Sequence, residues 1–373
     1  MHSRVLILGA GFGGLELATI LSDELGEDAG VTLIDEAEAF VFGYAKLDVM
    51  FGRTSPESVR LPYAEIDKPG VSFRRETITA IDPEQRRVTT NAGVHEAEHL
   101  VVALGAGYDI DATPGVVLGE NEFYSVPGAE KLAAAIAGFD EGNAVIGVCD
   151  APFKCPPAPS EACLLLHDHL VRSGCRDRCT ITFVLPLPSP VPPSPATSEA
   201  LLEAFAERDI RFVPGRRLAS AGEGAIALDD GSELPCDLLL AVPRHVAPEV
   251  VRAAGMTEDG YVPVESRTLR TGYENVYACG DVATVGVPKA GVFAEGAARS
   301  IATTLVATIR DGDGDGFYDG LGSCYIEFGA GQVGRVDVDF LSGPKPTGTF
   351  QAPSDALAAE KEEFGSSRRA RWF

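Results

Sequence analysis

The run Gly9-Ala10-Gly11-Phe12-Gly13-Gly14 offers bare backbone where a helix is about to begin. Bare backbone at a helix N-terminus is what a pyrophosphate binds. Gly9 permits the tight turn, Gly11 lets the chain approach the phosphates, and Gly14 lets the helix pack closely on the preceding strand. Asp35 lies 21 residues beyond Gly14, where ribose hydroxyls need an acceptor, and Glu36 stands beside it. A second kind of chemistry is available at Cys155, in the loop Asp150-Ala151-Pro152-Phe153-Lys154-Cys155-Pro156-Pro157-Ala158-Pro159-Ser160-Glu161. Its four prolines leave few free N–H groups, so the loop cannot cradle a pyrophosphate, but it can hold a thiol stiffly. Lys154, next in sequence, would favour the thiolate.

These groups need strands that end at a common edge. Residues 5–8 read as a short buried strand, 15–25 as a helix and 31–35 as a second strand. Strand, glycines, helix, strand and acid follow in the order of a dinucleotide fold. Residues 144–149 form the strand that should open a second such fold. The fingerprint glycines are missing after it, which argues against a nicotinamide site. A helix over 162–171, a strand over 180–185 and a Pro-rich loop over 186–195 follow. Cys155 would sit at the carboxyl end of a parallel strand, the ligand-binding edge of such sheets.

Farther on, Asn275-Val276-Tyr277-Ala278-Cys279-Gly280-Asp281 runs into a helical stretch over 292–309. This resembles the second FAD fingerprint of the pyridine nucleotide–disulfide reductase superfamily. The stretch His99-Leu100-Val101-Val102-Ala103-Leu104-Gly105-Ala106-Gly107 resembles its intermediate strand and glycine turn. The resemblance implies FAD, held by the first glycine turn and Gly105, with Asp281 on the ribityl chain. Lys289-Ala290-Gly291 would open a helix whose positive end stabilises the anionic reduced flavin. The implied fold is α/β, with two Rossmann-like, three-layer dinucleotide-binding domains. The first comprises 1–115 and 270–310, the second (116–269) is inserted in it, and a small α+β domain (316–373) lies over the flavin.

The segment Phe153 to Glu161 is similar to the active-site loop of sulfide:quinone oxidoreductases and flavocytochrome c sulfide dehydrogenases. Cys155 matches their redox cysteine, Glu161 the glutamate six positions on, and Cys324 the second redox cysteine of the C-terminal domain. Phe40-Val41-Phe42-Gly43 and Gly331-Gln332-Val333-Gly334 extend the likeness. It implies a small sulfur substrate attacking a Cys155–Cys324 disulfide, with the persulfide on Cys155 and the thiolate on Cys324. The electron pair then passes to FAD and on to a quinone or cytochrome. Glu161 is either the proton acceptor or a helix N-terminal carboxylate favoured by the dipole. The chain departs from the pattern at 121–129, which lacks the third cysteine of many quinone-reducing members. No cysteine lies near Gly43 to attach FAD covalently, so the cofactor is expected to be non-covalent. The membrane helices of such members are also absent before the end at Phe373.

A formal charge of −24 argues against nucleic-acid binding. It suits a solubility or salt-adapted surface, or an acidic dock for a basic redox partner. Apolar runs such as 100–104 are too short to span a bilayer, and residues 1–4 lead straight into a strand without a signal peptide. A cytoplasmic protein is expected, with at most peripheral contact at the inner membrane surface through Arg368-Arg369-Ala370-Arg371-Trp372-Phe373. A homodimer is left open. Of the eight cysteines, Cys149, Cys163 and Cys279 read as core, and Cys175 and Cys179 as an exposed turn with no second pair for a metal. Residues 311–316 imitate a calcium loop, but Gly322 stands where the bidentate Glu belongs, so the run reads as a flexible linker. The competing functions are an NAD(P)H:acceptor flavoprotein of the type II NADH dehydrogenase kind and a non-catalytic flavin-binding scaffold.

Overall fold

The computed structural model describes residues 3–310 and 312–373. Met1, His2 and Asp311 lie outside the described residues, with the parts of the signal-peptide and calcium-loop readings that rest on them.

Branched and apolar runs build two parallel sheets. The first has five strands in the order Val276–Ala278, His99–Val102, Ser3–Leu8, Ala29–Asp35, Val71–Arg75, all parallel. Segments from both ends of the sequence thus share one sheet, because Val276 pairs in register with Leu100. The helices Phe12–Leu25 and Gly291–Ile309 pack on each other beside it. Gly291–Ile309 has the length and mean hydropathy (1.2) of a membrane-crossing helix. Here, however, Phe293, Ala297, Ile301 and Leu305 are buried in the protein.

The second sheet has four parallel strands in the order Ile210–Pro214, Cys179–Leu185, Gly142–Val148, Leu238–Val242. Its two faces show the period of two expected of a sheet buried on both sides. Ala144, Ile146 and Val148 pack in the cluster that holds Leu164 and Leu201, from the helices Ala158–Arg172 and Pro195–Glu207. Val145, Val184 and Ala241 pack instead under Ile226 and Leu228 of an antiparallel meander, Leu218–Gly222, Ala225–Leu228 and Glu233–Pro235. This is the three-layer α/β architecture expected. The helix after Cys155 begins at Ala158, about a turn earlier than the pattern suggested, because prolines are tolerated in a first helical turn where no N–H partner is needed.

The last part of the chain is an antiparallel sheet, Leu321–Gly329, Gln332–Asp339 and Thr347–Ser354, followed by the helix Asp355–Trp372. Two expectations are corrected here. Trp372 is fully buried, edge-on to Phe12 and Phe40, and its indole N–H donates to Glu16 (2.9 Å). Arg371 and Arg368 pair with Glu16 and Glu295. The residues read as a membrane contact therefore close the fold over the first helix. Of the run read as a linker, 312–315 are exposed and outside any helix or strand, and Gly316 N donates to Thr304 Oγ1 (2.9 Å). Cys175 and Cys179 are buried rather than exposed, since Arg176 folds the turn inward by donating to the carbonyls of Cys179 and Arg208.

Candidate active site

The first crossover is built around backbone. Gly9 has φ +100°, and a Cβ there would stand 2.3 Å from Ala103 O. A Cβ on Gly14 would stand 1.9 Å from Gly9 O, so the helix meets its strand with no room for a side chain. On Gly11 a Cβ would meet no protein atom within 4 Å, which leaves the turn open to a ligand. Asp35, at the end of its strand, accepts from Ala10 N (2.7 Å) and Ala37 N (2.8 Å) and lines the opening. Glu36 is exposed and outside it, because successive residues leaving a strand point to opposite sides.

From this turn a cavity of about 340 Å³ runs past Gly105 and Cys279 to Gly280, Asp281, Lys289 and Cys155. Cys279 is buried at 1%, yet its sulfur lies where a Cβ on Gly13 would need to be. Lys289 Nζ donates to the Asp281 carbonyl (2.5 Å) and lies 3.4 Å from the Tyr261 ring centre. Burial pushes its ammonium down to about 8, against the pull of Asp281. Burial pushes the Asp281 carboxyl up, against Lys154, Lys289 and Lys46. Ala290 caps the helix Gly291–Ile309, whose N-terminus opens on the cavity. Gly291 is required there, since a Cβ would enter the Phe12 ring at 2.6 Å. An open phosphate-sized turn, a carboxylate for ribose and a cationic far end fit a flavin dinucleotide. Phosphates would lie on residues 11–14 and the ring system between Lys289 and Cys155.

A smaller chamber of about 110 Å³ adjoins this cavity, sharing Phe12, Gly43, Cys155, Ala290 and Gly291 with it. Cys155, Glu161 and Cys324 all line the chamber. Cys155 has a left-handed backbone (φ +49°); its N–H donates to Lys289 O (2.7 Å) and its carbonyl accepts from Ala158 N (2.9 Å). Both cysteines are half-buried and unbonded, packed on the same apolar cluster. Burial pushes both thiols up, Cys324 to about 12, and the neighbouring Glu161 adds to each.

Lys154 does not favour the Cys155 thiolate as expected. It pairs in a backbone bridge with Lys289, and its Nζ donates to Ala106 O (3.1 Å) and Tyr108 Oη (2.9 Å). Its side chain is thus committed to Ala106 and Tyr108, while Cys155 lines the chamber with Glu161 and Cys324. The cation that lowers the Cys155 thiol is Lys361 of the C-terminal helix, which also lines the chamber. Glu161, 2% exposed, accepts from Glu327 N (3.0 Å) and lies 3.9 Å from Lys361 Nζ. Burial raises its carboxyl to about 7, with Lys361 pulling it down and Glu327 pushing it up. Glu327 is itself paired with Lys361 and, through two contacts (2.5 and 3.0 Å), with Arg53. Lys361, Glu327, Arg53 and Lys46 carried no recognisable motif, and only their placement reveals them.

Over residues 3–147 and 171–308 the chain matches the pyridine nucleotide-disulphide oxidoreductase family. The chain belongs to that family. It is a flavin-dependent oxidoreductase. Among curated relatives it is similar to the mitochondrial sulfide:quinone oxidoreductase of Mus musculus, 26% identical over 95% of this chain and 82% of that one. It is also similar to the sulfide-quinone reductase of Aquifex aeolicus, 27% identical over 83% of this chain and 78% of the relative. The crystal structure of the Aquifex aeolicus sulfide:quinone oxidoreductase superposes with a TM-score of 0.87 over 99% of this chain and 92% of that chain, at 23% identity, which speaks for the fold. A type II NADH:quinone oxidoreductase of Staphylococcus epidermidis is 36% identical, but over 28% of this chain and 26% of its own length.

Proposed function

We propose that the protein oxidises sulfide or a related small sulfur compound, using Cys155 and Cys324 as its redox pair and a non-covalently bound FAD. A quinone or a cytochrome is the electron acceptor. The observation that carries this reading is the meeting of Cys155, Cys324 and Glu161 in one chamber that opens on the flavin cavity.

In the oxidised state the two sulfurs form a disulfide. Hydrosulfide attacks the Cys155 sulfur, so one S–S bond forms on Cys155 as the bond to Cys324 breaks. Cys324 leaves as a thiolate carrying the electron pair. A second thiolate or hydrosulfide takes the outer sulfur from Cys155, which is left as a thiolate beside that of Cys324. Closing the disulfide between these two thiolates releases one electron pair, which a bound FAD would accept and hand on to the acceptor. Glu161 suits the accompanying proton, because a carboxyl near 7 is split between its two forms at neutral pH. The positive helix end at Ala290 and the Lys289 ammonium favour negative charge at the flavin's near edge.

Anaerobic titration of the purified yellow protein with sulfide is the direct test. Bleaching of the flavin by sulfide, abolished in Cys155→Ser and Cys324→Ser, is the expected result. Bleaching by NADH but not by sulfide would overturn this reading in favour of an NAD(P)H:acceptor enzyme. An activity indifferent to both cysteines would point to a scaffold. The loop after Gly142–Val148 speaks against a nicotinamide nucleotide, since Pro152, Pro156 and Pro157 stand where a second phosphate turn would need N–H groups.

A further inference from the structure

Three segments distant in the sequence meet around Glu161. Asp48 stands on the helix Ala45–Met50 with Arg53 just beyond it, Glu327 on the strand Leu321–Gly329, and Lys361 on the helix Asp355–Trp372. Arg53 sets its guanidinium as a fork on the Glu327 carboxylate (2.5 and 3.0 Å) and reaches Asp48 at 2.8 Å. Lys361 Nζ bonds the same Glu327 carboxylate and lies 3.9 Å from Glu161 Oε1. Glu327 also gives its backbone N–H to Glu161 Oε1 (3.0 Å). Among the described residues, both polar contacts of the Glu161 carboxyl thus run through Glu327. One is its N–H, and the other is the ammonium that its carboxylate holds.

The charges in this cluster do not cancel. Arg53 and Lys361 are two cations, whereas Asp48, Glu327 and Glu161 are three carboxyls. Forked pairing with a guanidinium is the strongest arrangement open to a carboxylate, and Glu327 has it. Burial pushes the Glu327 carboxyl up, but Arg53 and Lys361 outweigh it and hold it below its ordinary value. The surplus carboxyl is therefore Glu161. Cys155 from the preceding loop and Cys324 from the strand also face it, and Tyr44 and Tyr325 line the same chamber. Burial raises all four of these thiols and phenols, so none of them carries charge near neutrality.

We propose that Arg53 and Glu327 are positioning residues for Glu161: the Arg53 fork fixes the Glu327 carboxylate, and Glu327 places the Lys361 ammonium and its own N–H against the Glu161 carboxyl. Neither residue lines the chamber, so both act through Lys361 and Glu161. Opposite signs follow for the two. Loss of the Arg53 charge draws Lys361 toward Glu327, and Glu161 then keeps its proton to higher pH. Loss of the Glu327 charge frees Lys361 for Glu161, which then gives up its proton at lower pH. The value of this arrangement to turnover rests on Glu161 as the proton acceptor proposed above; the geometry itself needs no sulfide.

The test follows the protonated Glu161 carboxyl by infrared spectroscopy of the oxidised, FAD-loaded protein, its C=O band assigned by subtracting the spectrum of Glu161→Gln. In the unaltered protein that band should titrate with a midpoint of about 7. Arg53→Gln should move the midpoint up by about one pH unit and Glu327→Gln should move it down by about as much, the low end for a nearby charge. Arg53→Lys keeps the charge and should recover most of the first shift. A loosened, wetter site would instead lower the midpoint in both variants. A midpoint that stays in either variant, or moves the same way in both, overturns the proposal. If one of the two fails to fold, the sign of the other decides alone. Midpoints that move as expected, while the pH limb of sulfide-dependent bleaching stays, uphold the positioning and remove Glu161 from the sulfide reaction.

Discussion

The two strand-to-helix crossovers occupy equivalent places in their sheets and do opposite things with the same geometry. After Ser3–Leu8 the turn is stripped of side chains, so that backbone N–H groups and the helix end face the cavity. After Gly142–Val148 the turn is crowded with prolines, and a single side chain, the Cys155 sulfur, is pushed out at the same edge. In the function proposed, one crossover would bind with its main chain and the other would react with a side chain. The two helices that follow carry the contrast further. Each bears one buried carboxylate that meets the C-terminal part of the chain: Glu16 in Phe12–Leu25 and Glu161 in Ala158–Arg172. Burial pushes Glu16 up, but Trp372, Arg299 and Arg371 outweigh it and hold the carboxyl below its ordinary value. Glu161 has one backbone N–H and a lysine 3.9 Å away, and burial prevails. A carboxylate surrounded by partners is a clamp, and one short of them is available for chemistry.

The sharpest way to break the comparison of the turns is to add one carbon to each. In Gly14→Ala the new Cβ would stand 1.9 Å from a backbone oxygen that cannot move without the strand. Overpacking of that kind costs about 1–3 kcal/mol or more, and here it falls on the phosphate turn. The purified variant is expected to be colourless or to lose nearly all its flavin, read from the absorbance ratio at 450 and 280 nm. Pro156→Ala should retain full flavin. If Gly14→Ala stays yellow, the turn is looser than its geometry says and its likeness to a phosphate cradle fails.

Much of this contrast was legible in the residues. Gly9, Gly11, Gly14 and Asp35 are readable because backbone crowding and phosphate access each demand a residue type at a fixed spacing. The Pro-rich Cys155 loop is readable for the opposite reason. What escaped was placement across the sequence. Lys154 adjoins Cys155 in the chain but faces the other way, and the cation that matters, Lys361, is more than two hundred residues away in a helix that reads as merely polar. Trp372 and its arginines looked like a surface tail because nothing marks Glu16 and Glu295 as buried until the two helices are packed together.

Next in size is the difference between the two carboxylates. If Glu161 accepts the proton, flavin reduction by sulfide should rise with pH through about 7 and level off above it, since the ionised form is the working one. Glu161→Gln should lower the rate at pH 8 by about a hundredfold and remove that limb, the lower range for a lost general base. Lys361→Met removes the cation that pulls Glu161 down, so its limb should move to higher pH, costing about tenfold at pH 7. Stopped-flow bleaching between pH 5.5 and 9 reads both. A Glu161→Gln profile that keeps the limb at about 7 would return Glu161 to a purely structural role.

The smallest effect belongs to the clamp. Trp372→Phe keeps an aromatic ring against Phe12 and Phe40 but deletes the N–H donated to Glu16 at 2.9 Å. A hydrogen bond to a charged group contributes about 1.5–3 kcal/mol. Arg299 and Arg371 still hold the carboxylate, so a loss of about 1–2 kcal/mol and about 2 °C in melting temperature is expected. The sign with pH follows from the lowered carboxyl. Its contribution is complete above the unfolded value and fades as pH falls through the folded one, so the deficit should be largest near neutrality and shrink in acid. Sulfide-dependent bleaching should be untouched, because Glu16 serves the fold and Glu161 the sulfur chamber. A variant that melts normally yet reacts slowly would mean that the C-terminal helix belongs to the chemistry through both carboxylates, and the division between clamp and site would fall.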